Sequence, residues 1–367
     1  MPWTGLMYNS NGQVKNCIRS AAPIGNLQKS SIKDILLGAE NIATQQAMLN
    51  QQPGARCYPC YDLEANKKSF DIISDRIFYI KELRKIDLDT YQVGNHELHT
   101  IDVRWSSLCN FACVYCSPEF SSQWASELKV FPITPDDQQL KDFKEYIFKN
   151  VPKLKHVYLA GGEPLLIKEN LELLTLLKKT NPDVTIRINT NLSKVDTKIF
   201  DLICEFKNVH WTVSVETIEQ EFEYIRYGSR WQDFLDNLET IKNLNHKISF
   251  NMLYFLLNYQ SLFGCVDYLK SKGFHNNSFI IGALLTPLYL NIRHLSDAVL
   301  KSLEKTLTDK INEHPGYLLE DSYRNLLRYI QQPFEKDLPN SFRQLAELDQ
   351  RRGLNSRAIF KDLFELQ

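Results

Sequence analysis

Apolar and polar positions change rhythm along this chain, and the changes mark its elements. From residue 100 onward, short runs in which apolar and polar residues alternate are followed by longer runs whose apolar residues recur every three or four positions. The first pattern is that of a half-buried strand, the second that of an amphipathic helix. Strands are predicted at 100–105, 156–160, 184–189, 209–216, 247–254 and 278–283. Helices are predicted at 136–150, 168–179, 196–206, 231–243 and 261–272. Strands alternating with helices predict an α/β fold with a parallel sheet and right-handed crossovers. Beyond about 290 only helical periods remain, at 296–312, 318–331, 341–351 and 356–365.

The first hundred residues read differently. Two short runs, 4–8 and 13–15, flank Asn9-Ser10-Asn11-Gly12, whose residues suit a tight reversal, so a hairpin is predicted. A helix fits 30–49, with Ser30 or Ser31 as its N-cap and Ile32, Ile35 and Leu36 on one face. Pro53-Gly54 ends it, and Cys57-Tyr58-Pro59-Cys60 follows. Residues 65–99 read as a charged connecting region with helical pieces, in which the basic 81–85 stretch fits a solvated helix face.

Bulk properties narrow the class. A chain of 367 residues exceeds what one hydrophobic core usually serves, so two domains or a barrel with appendages is expected. A net charge of −1 gives no electrostatic case for nucleic acid or for an acidic membrane surface. No apolar run reaches the ~18 residues a membrane span needs, and the first residues lack the pattern of a signal peptide. A cytoplasmic location is therefore expected. Eight cysteines in that compartment point to metal or redox chemistry rather than to disulfides.

Six of the eight fall into two groups. Cys109, Cys113 and Cys116 are spaced C-x-x-x-C-x-x-C just after the first strand of the repeating region. Thiolates are the preferred ligands of iron–sulfur clusters, and three of them leave one iron of a 4Fe–4S cubane open to another molecule. Zinc sites more often use paired C-x-x-C units. Cys17, Cys57 and Cys60 form the second group, for which an iron–sulfur cluster and a zinc knuckle are both open readings. Cys204 and Cys265 fall on apolar helix faces and read as packing residues. The histidines show no metal-ligand spacing.

The C-x-x-x-C-x-x-C with Tyr115 before its last cysteine resembles the radical S-adenosylmethionine (SAM) superfamily. Gly161-Gly162-Glu163-Pro164, after the second strand, resembles that family's GGEP motif. The resemblance implies a partial (β/α)6, TIM-like barrel over 100–289, with C-terminal helices over 290–367. It implies that Cys109, Cys113 and Cys116 hold the SAM-binding 4Fe–4S cluster and that Gly161, Gly162, Glu163 and Pro164 meet the SAM amino group. Ser214 and Glu216 match the family's ribose motif, and Arg226 matches a position that pairs with the SAM carboxylate. Asn189 and Asn191 share the polar face of the third strand with Arg187, so they too are candidate cofactor contacts. The sixth strand is expected to line the adenine.

Residues 1–75, with Pro2-Trp3, Gly12-x-Val14-x-x-Cys17, the C-x-x-C and Glu64, resemble the SPASM/Twitch auxiliary-cluster module. A connecting segment, 76–99, would follow it. Two departures stand out: in relatives the module commonly follows the barrel, and a cysteine tends to precede the Pro-Trp pair. A fourth ligand is therefore missing, truncated or replaced.

The resemblance implies an enzyme that cleaves SAM reductively to a 5′-deoxyadenosyl radical, which abstracts hydrogen from a peptide or small metabolite. An external reductant such as flavodoxin or ferredoxin would supply the electron. The auxiliary cluster would assist electron transfer or bind substrate. The rival readings are a non-catalytic iron–sulfur electron carrier and a zinc-stabilised scaffold. Neither needs Gly161–Pro164, Ser214, Glu216 and Arg226 together.

Overall fold

A computed structural model describes residues 2–52, 54–65, 77, 91–131, 134–313 and 315–366. Most of the expected connecting region at 65–99, with its basic 81–85 stretch, lies outside the described residues, as does Pro53. The chain forms two compact units: 1–109 with 118–190 and 194–211, and 110–117 with 191–193 and 212–367.

The first unit is built on a sheet in which the strands run in the order β3-β2-β1-β4-β5-β6. These are β1 (Gly5–Tyr8), β2 (Gln13–Lys15), β3 (Gly25–Asn26), β4 (Thr100–Val103), β5 (His156–Leu159) and β6 (Thr185–Thr190). β4, β5 and β6 are parallel, with Ile101 beside Val157 and Val157 beside Ile186. The expected hairpin is present, and its first strand also lies parallel to β4, with Leu6 beside Ile101. Every residue of β1 and of β4 is buried, as in strands covered on both faces. The turn between β1 and β2 needs Gly12, which sits at φ +84° and donates its N–H to the Asn9 carbonyl at 2.9 Å.

Helix Asp137–Asn150 begins with a capping box between Asp136 and Gln139 and buries Phe143 and Ile147. The Phe143 ring lies 4.5 Å from that of Tyr8 and 5.7 Å from that of Trp105, tying the helix to β1 and to the end of β4. Leu173, Leu174 and Leu177 of helix Lys168–Thr180 complete the apolar cover.

The single helix expected at 30–49 is two helices, Ile32–Leu36 and Ala39–Leu49. Gly38 is extended between them, and the buried Asn41 side chain donates to the Leu36 carbonyl at 2.8 Å. That side-chain bond satisfies a carbonyl that helix continuation would otherwise have paired.

β7 (Val209–Ser214) carries the chain from the first unit into the second. There β8 (Lys247–Tyr254) and β9 (Phe279–Ala283) run parallel, with Phe250 beside Phe279. Helix Ser261–Ser271 buries Leu262, Cys265, Val266 and Leu269, so Cys265 packs as its periodicity predicts. Helices Asp297–Glu313, Leu318–Ile330 and Leu338–Arg352 follow. The last expected helix, 356–365, is broken into Ser356–Ile359 and Lys361–Phe364. Phe360 between them leaves helical geometry and sets its ring 5.1 Å from that of Tyr224. Among the described residues no helix is long and apolar enough to cross a membrane.

Candidate functional site

In the first unit, the segment entering the cysteine loop lies against the Gly-Gly-Glu turn. Gly161 sits at φ +113°, and a β-carbon at Gly162 would stand 2.1 Å from the Leu108 carbonyl oxygen. Only glycine allows that approach. The Gly162 N–H donates to the Ser106 carbonyl at 3.2 Å and the Glu163 N–H to that of Leu108 at 2.7 Å. The Ser122 hydroxyl bonds both sides of Cys109, accepting from its N–H and donating to its carbonyl, each at 3.1 Å.

Glu163 is fully buried. Its Oε1 accepts from the Leu165 N–H at 3.1 Å and from the Thr190 hydroxyl at 2.7 Å. The carboxylate thus caps the short turn Pro164–Leu166, and Pro164 opens that turn. Asn189 Oδ1 on β6 is buried and has no hydrogen-bond partner among the described residues.

In the second unit, Cys113 is buried and Cys116 half-buried. The Cys116 N–H donates to the Cys113 carbonyl at 2.9 Å, closing the C-x-x-C turn. The loop is pinned at two further points, Ala112 N–H to the Tyr227 carbonyl and Val114 N–H to that of Ile225. The Asn191 amide donates to Asn110 Oδ1 at 3.1 Å, and the Asn110 amide donates to the Ser193 hydroxyl at 2.9 Å. Asn191 therefore anchors the loop through the residue that follows Cys109.

Tyr115, Glu216 and Arg226 meet beside Cys113. Arg226 Nη1 donates to the Tyr115 hydroxyl at 2.7 Å, and that hydroxyl donates to Glu216 Oε1 at 2.9 Å. The same Nη1 lies 3.6 Å from Glu216 Oε2 and 4.0 Å from Cys113 Sγ. Glu216 is 1% and Arg226 2% exposed, so the pair is fully desolvated. Burial pushes the Glu216 carboxyl up, against the Arg226 charge and the Tyr115 hydrogen bond that favour its ionised form. Asn258 donates to the Glu216 main-chain carbonyl at 3.0 Å. Ser214, at the end of β7, is half-buried.

Burial also raises the thiols, that of Cys116 to about 12. They would ligate a metal only by exchanging their protons for it.

The second cysteine group lies in the first unit. Cys17, Cys57 and Cys60 line one pocket, open to solvent, together with Pro2, Asn16, Arg19, Ser20, Met48 and Arg56. Among the described residues no three Cys, His, Asp or Glu side chains are placed to hold a single metal ion. A cubane makes a different demand, because each thiolate takes a different iron and the ligands ring a space instead of converging on a point.

Several residues that shape the site carry no motif. Ser122, Asn110, Ser193, Thr190 and Asn258 act through hydrogen bonds between distant parts of the chain. The only sequence signal for any of them is that Asn110 directly follows Cys109, and Ser121-Ser122 has the look of a helix start.

Residues 103–269 match the family model for the Radical SAM superfamily. That family implies a 4Fe–4S cluster and SAM as its cofactors, with a reductant and a substrate. Among curated proteins the chain is similar to GTP 3′,8-cyclase of Campylobacter lari, 24% identical over 39% of this chain and 42% of that one. It is also similar to GTP 3′,8-cyclase of Sulfurimonas denitrificans, 25% identical over 45% of this chain and 50% of the relative. The chain thus spans about half the length of the curated relatives it matches. Among solved structures, native anSMEcpe with bound AdoMet is 20% identical over 57% of this chain and 58% of that chain, with a TM-score of 0.43. Streptococcus suis SuiB bound to precursor peptide SuiA is 17% identical over 78% and 64%, with a TM-score of 0.43.

Proposed function

We propose that the chain is a radical SAM enzyme that abstracts hydrogen from a peptide or small metabolite. The observation that carries this reading is the side-chain-free crossing at Gly161 and Gly162, which fixes the backbone entering Cys109 to the turn after β5. A family motif at that point serves no purpose in a zinc scaffold.

Cys109, Cys113 and Cys116 would hold three irons of a 4Fe–4S cluster. When bound, the cluster supplies one electron to the sulfonium of SAM, which yields methionine and a 5′-deoxyadenosyl radical able to take a hydrogen atom from the substrate. The chain's own part is to bind and orient. The main chain at Gly161 and Gly162 would meet the SAM ammonium. Asn189 Oδ1, a buried acceptor with no hydrogen-bond donor among the described residues, suits a SAM hydroxyl or ammonium group. Ser214, two residues before Glu216, would serve the ribose. Because Glu163 Oε1 caps the next turn, its side chain holds the loop and leaves contact with SAM to the main chain.

Cys17, Cys57 and Cys60 would hold a second iron–sulfur cluster, in the pocket that Arg19 and Arg56 also line. An external flavodoxin- or ferredoxin-type reductant delivers the electron. GTP, named in the curated relatives, is one small metabolite to include in the assay.

The test is anaerobic reconstitution with iron and sulfide, reduction, and chromatography of SAM products. Wild-type protein is expected to form 5′-deoxyadenosine, and the C109A/C113A/C116A variant to form none. Undiminished SAM cleavage by that variant would overturn the assignment.

A further inference from the structure

The Tyr115–Glu216–Arg226 group does more than the SAM-contacting roles the sequence suggests for Glu216 and Arg226. Arg226 Nη1 reaches the Tyr115 hydroxyl, the Glu216 carboxylate and the Cys113 sulfur from one point, at 2.7, 3.6 and 4.0 Å. Tyr115 lies between Cys113 and Cys116 in the chain, so this contact grips the C-x-x-C turn through its central side chain. The Arg226 guanidinium also sits 5.9 Å from the centre of the Phe222 ring. All this is buried: the Arg226 and Glu216 side chains are 3% and 2% exposed. Charges screened so little by water act strongly on whatever stands beside them.

We infer that Arg226 and Glu216 are positioning residues that set the reduction potential of the cluster bound through Cys113, as an opposed pair of charges beside its sulfur. This rests on the cofactor reading above. Adding an electron to an iron–sulfur cluster is eased by a nearby positive charge and by hydrogen bonds to its sulfurs, and opposed by a nearby negative charge. Arg226 offers the first two. Glu216 offers the third and limits the effect of Arg226 through the ion pair. Tyr115 is the bridge that keeps both in register with the turn.

The pair therefore has a signature that packing alone cannot give. Removing Arg226 leaves an uncompensated carboxylate and is expected to lower the midpoint potential. Removing the Glu216 charge takes a negative charge from beside the sulfur and is expected to raise it. R226Q, R226K, E216Q and Y115F would be reconstituted in a C17A/C57A/C60A background. Potentials would be measured by redox titration at one fixed pH, followed by EPR, without SAM. The expected result is a downward shift in R226Q, an upward shift in E216Q, and a value near the parent's in R226K.

Shifts of one sign in R226Q and E216Q, or none, would overturn the inference; so would a loss of SAM affinity with unmoved potentials. If R226Q fails to take up iron, the upward shift in E216Q against an unmoved R226K carries the test, and an unmoved E216Q overturns it. Wild-type protein that takes up no iron overturns the cofactor reading, and the inference falls with it. A parent that takes up iron but shows no paired shift overturns the inference alone.

Discussion

A β-carbon at Gly162 would overlap the Leu108 carbonyl oxygen at 2.1 Å, and one at Gly161 would stand 2.9 Å from that of Ser106. The neighbour in each case is backbone, which cannot swing aside as a flexible side chain can. G162A is therefore expected to cost about 1–3 kcal/mol of stability. It should also displace the segment entering Cys109 and lower bound iron after reconstitution. Iron assay and urea denaturation check this; full iron at unchanged stability would show that the crossing is not needed.

His96 gives a prediction of another kind. Burial pushes its imidazole down to about 4, outweighing the hydrogen bond to the Gly5 carbonyl. The folded state therefore favours the neutral ring, whereas the unfolded chain takes up a proton near 6.5. The contribution is fully present above about 6.5 and is lost as pH falls toward about 4, on the order of 2–3 kcal/mol in all. Replacing His96 by Asn should flatten the pH dependence of urea midpoints in that window. A pH profile identical to wild type would show that His96 is already solvated.

At the scale of elements, the break between helices Ile32–Leu36 and Ala39–Leu49 depends on Asn41. Its amide donates to the carbonyls of Leu36 and Pro2, and its oxygen accepts from the Asn16 amide. N41A takes this partner from the Leu36 carbonyl and the Asn16 amide, while the Pro2 carbonyl keeps the Gln45 amide, and is expected to cost about 2–3 kcal/mol, read by urea denaturation. A loss well under 1 kcal/mol would mean that water replaces the side chain.

This break was not legible in the sequence, because Leu36-Leu37-Gly38-Ala39 keeps a helical apolar rhythm and one glycine does not forbid a helix. The strands from residue 100 onward were legible to within one or two residues, since alternation over a sheet with covered faces leaves little choice of register. Thiols and glycines of the candidate site announced themselves by spacing. The inward turn of Glu163 and the grip of Arg226 on Tyr115 did not. They depend on partners brought close only by folding, Thr190 for one and a residue 111 positions away for the other.

At the scale of the whole molecule, the two cysteine groups make separable predictions. Wild-type protein is expected to bind roughly eight irons if both clusters are cubanes, and C17A/C57A/C60A roughly four. That second variant should still cleave SAM. Zinc in place of iron at the N-terminal pocket of C109A/C113A/C116A, read by elemental analysis, would leave that pocket a structural knuckle. Cleavage lost in both triple variants would mean that the pocket is needed to build the first unit.

The parallel pairing of β1 with β4 sets a timetable for biosynthesis. Gly5 leaves the ribosome long before Thr100, its partner in the sheet. At about 5–20 residues per second, the apolar strand Gly5–Tyr8 waits roughly 5–20 s for the neighbour that covers its edge. During that interval it is a sticky segment in need of chaperoning. Conversely, a chain shortened past β1 would present the bare edge of β4, the strand that leads into the cysteine loop, and such edges pair with one another. Soluble yield of an N-terminally trimmed chain, compared with the full one, measures how much of the molecule's solubility rests on those four residues.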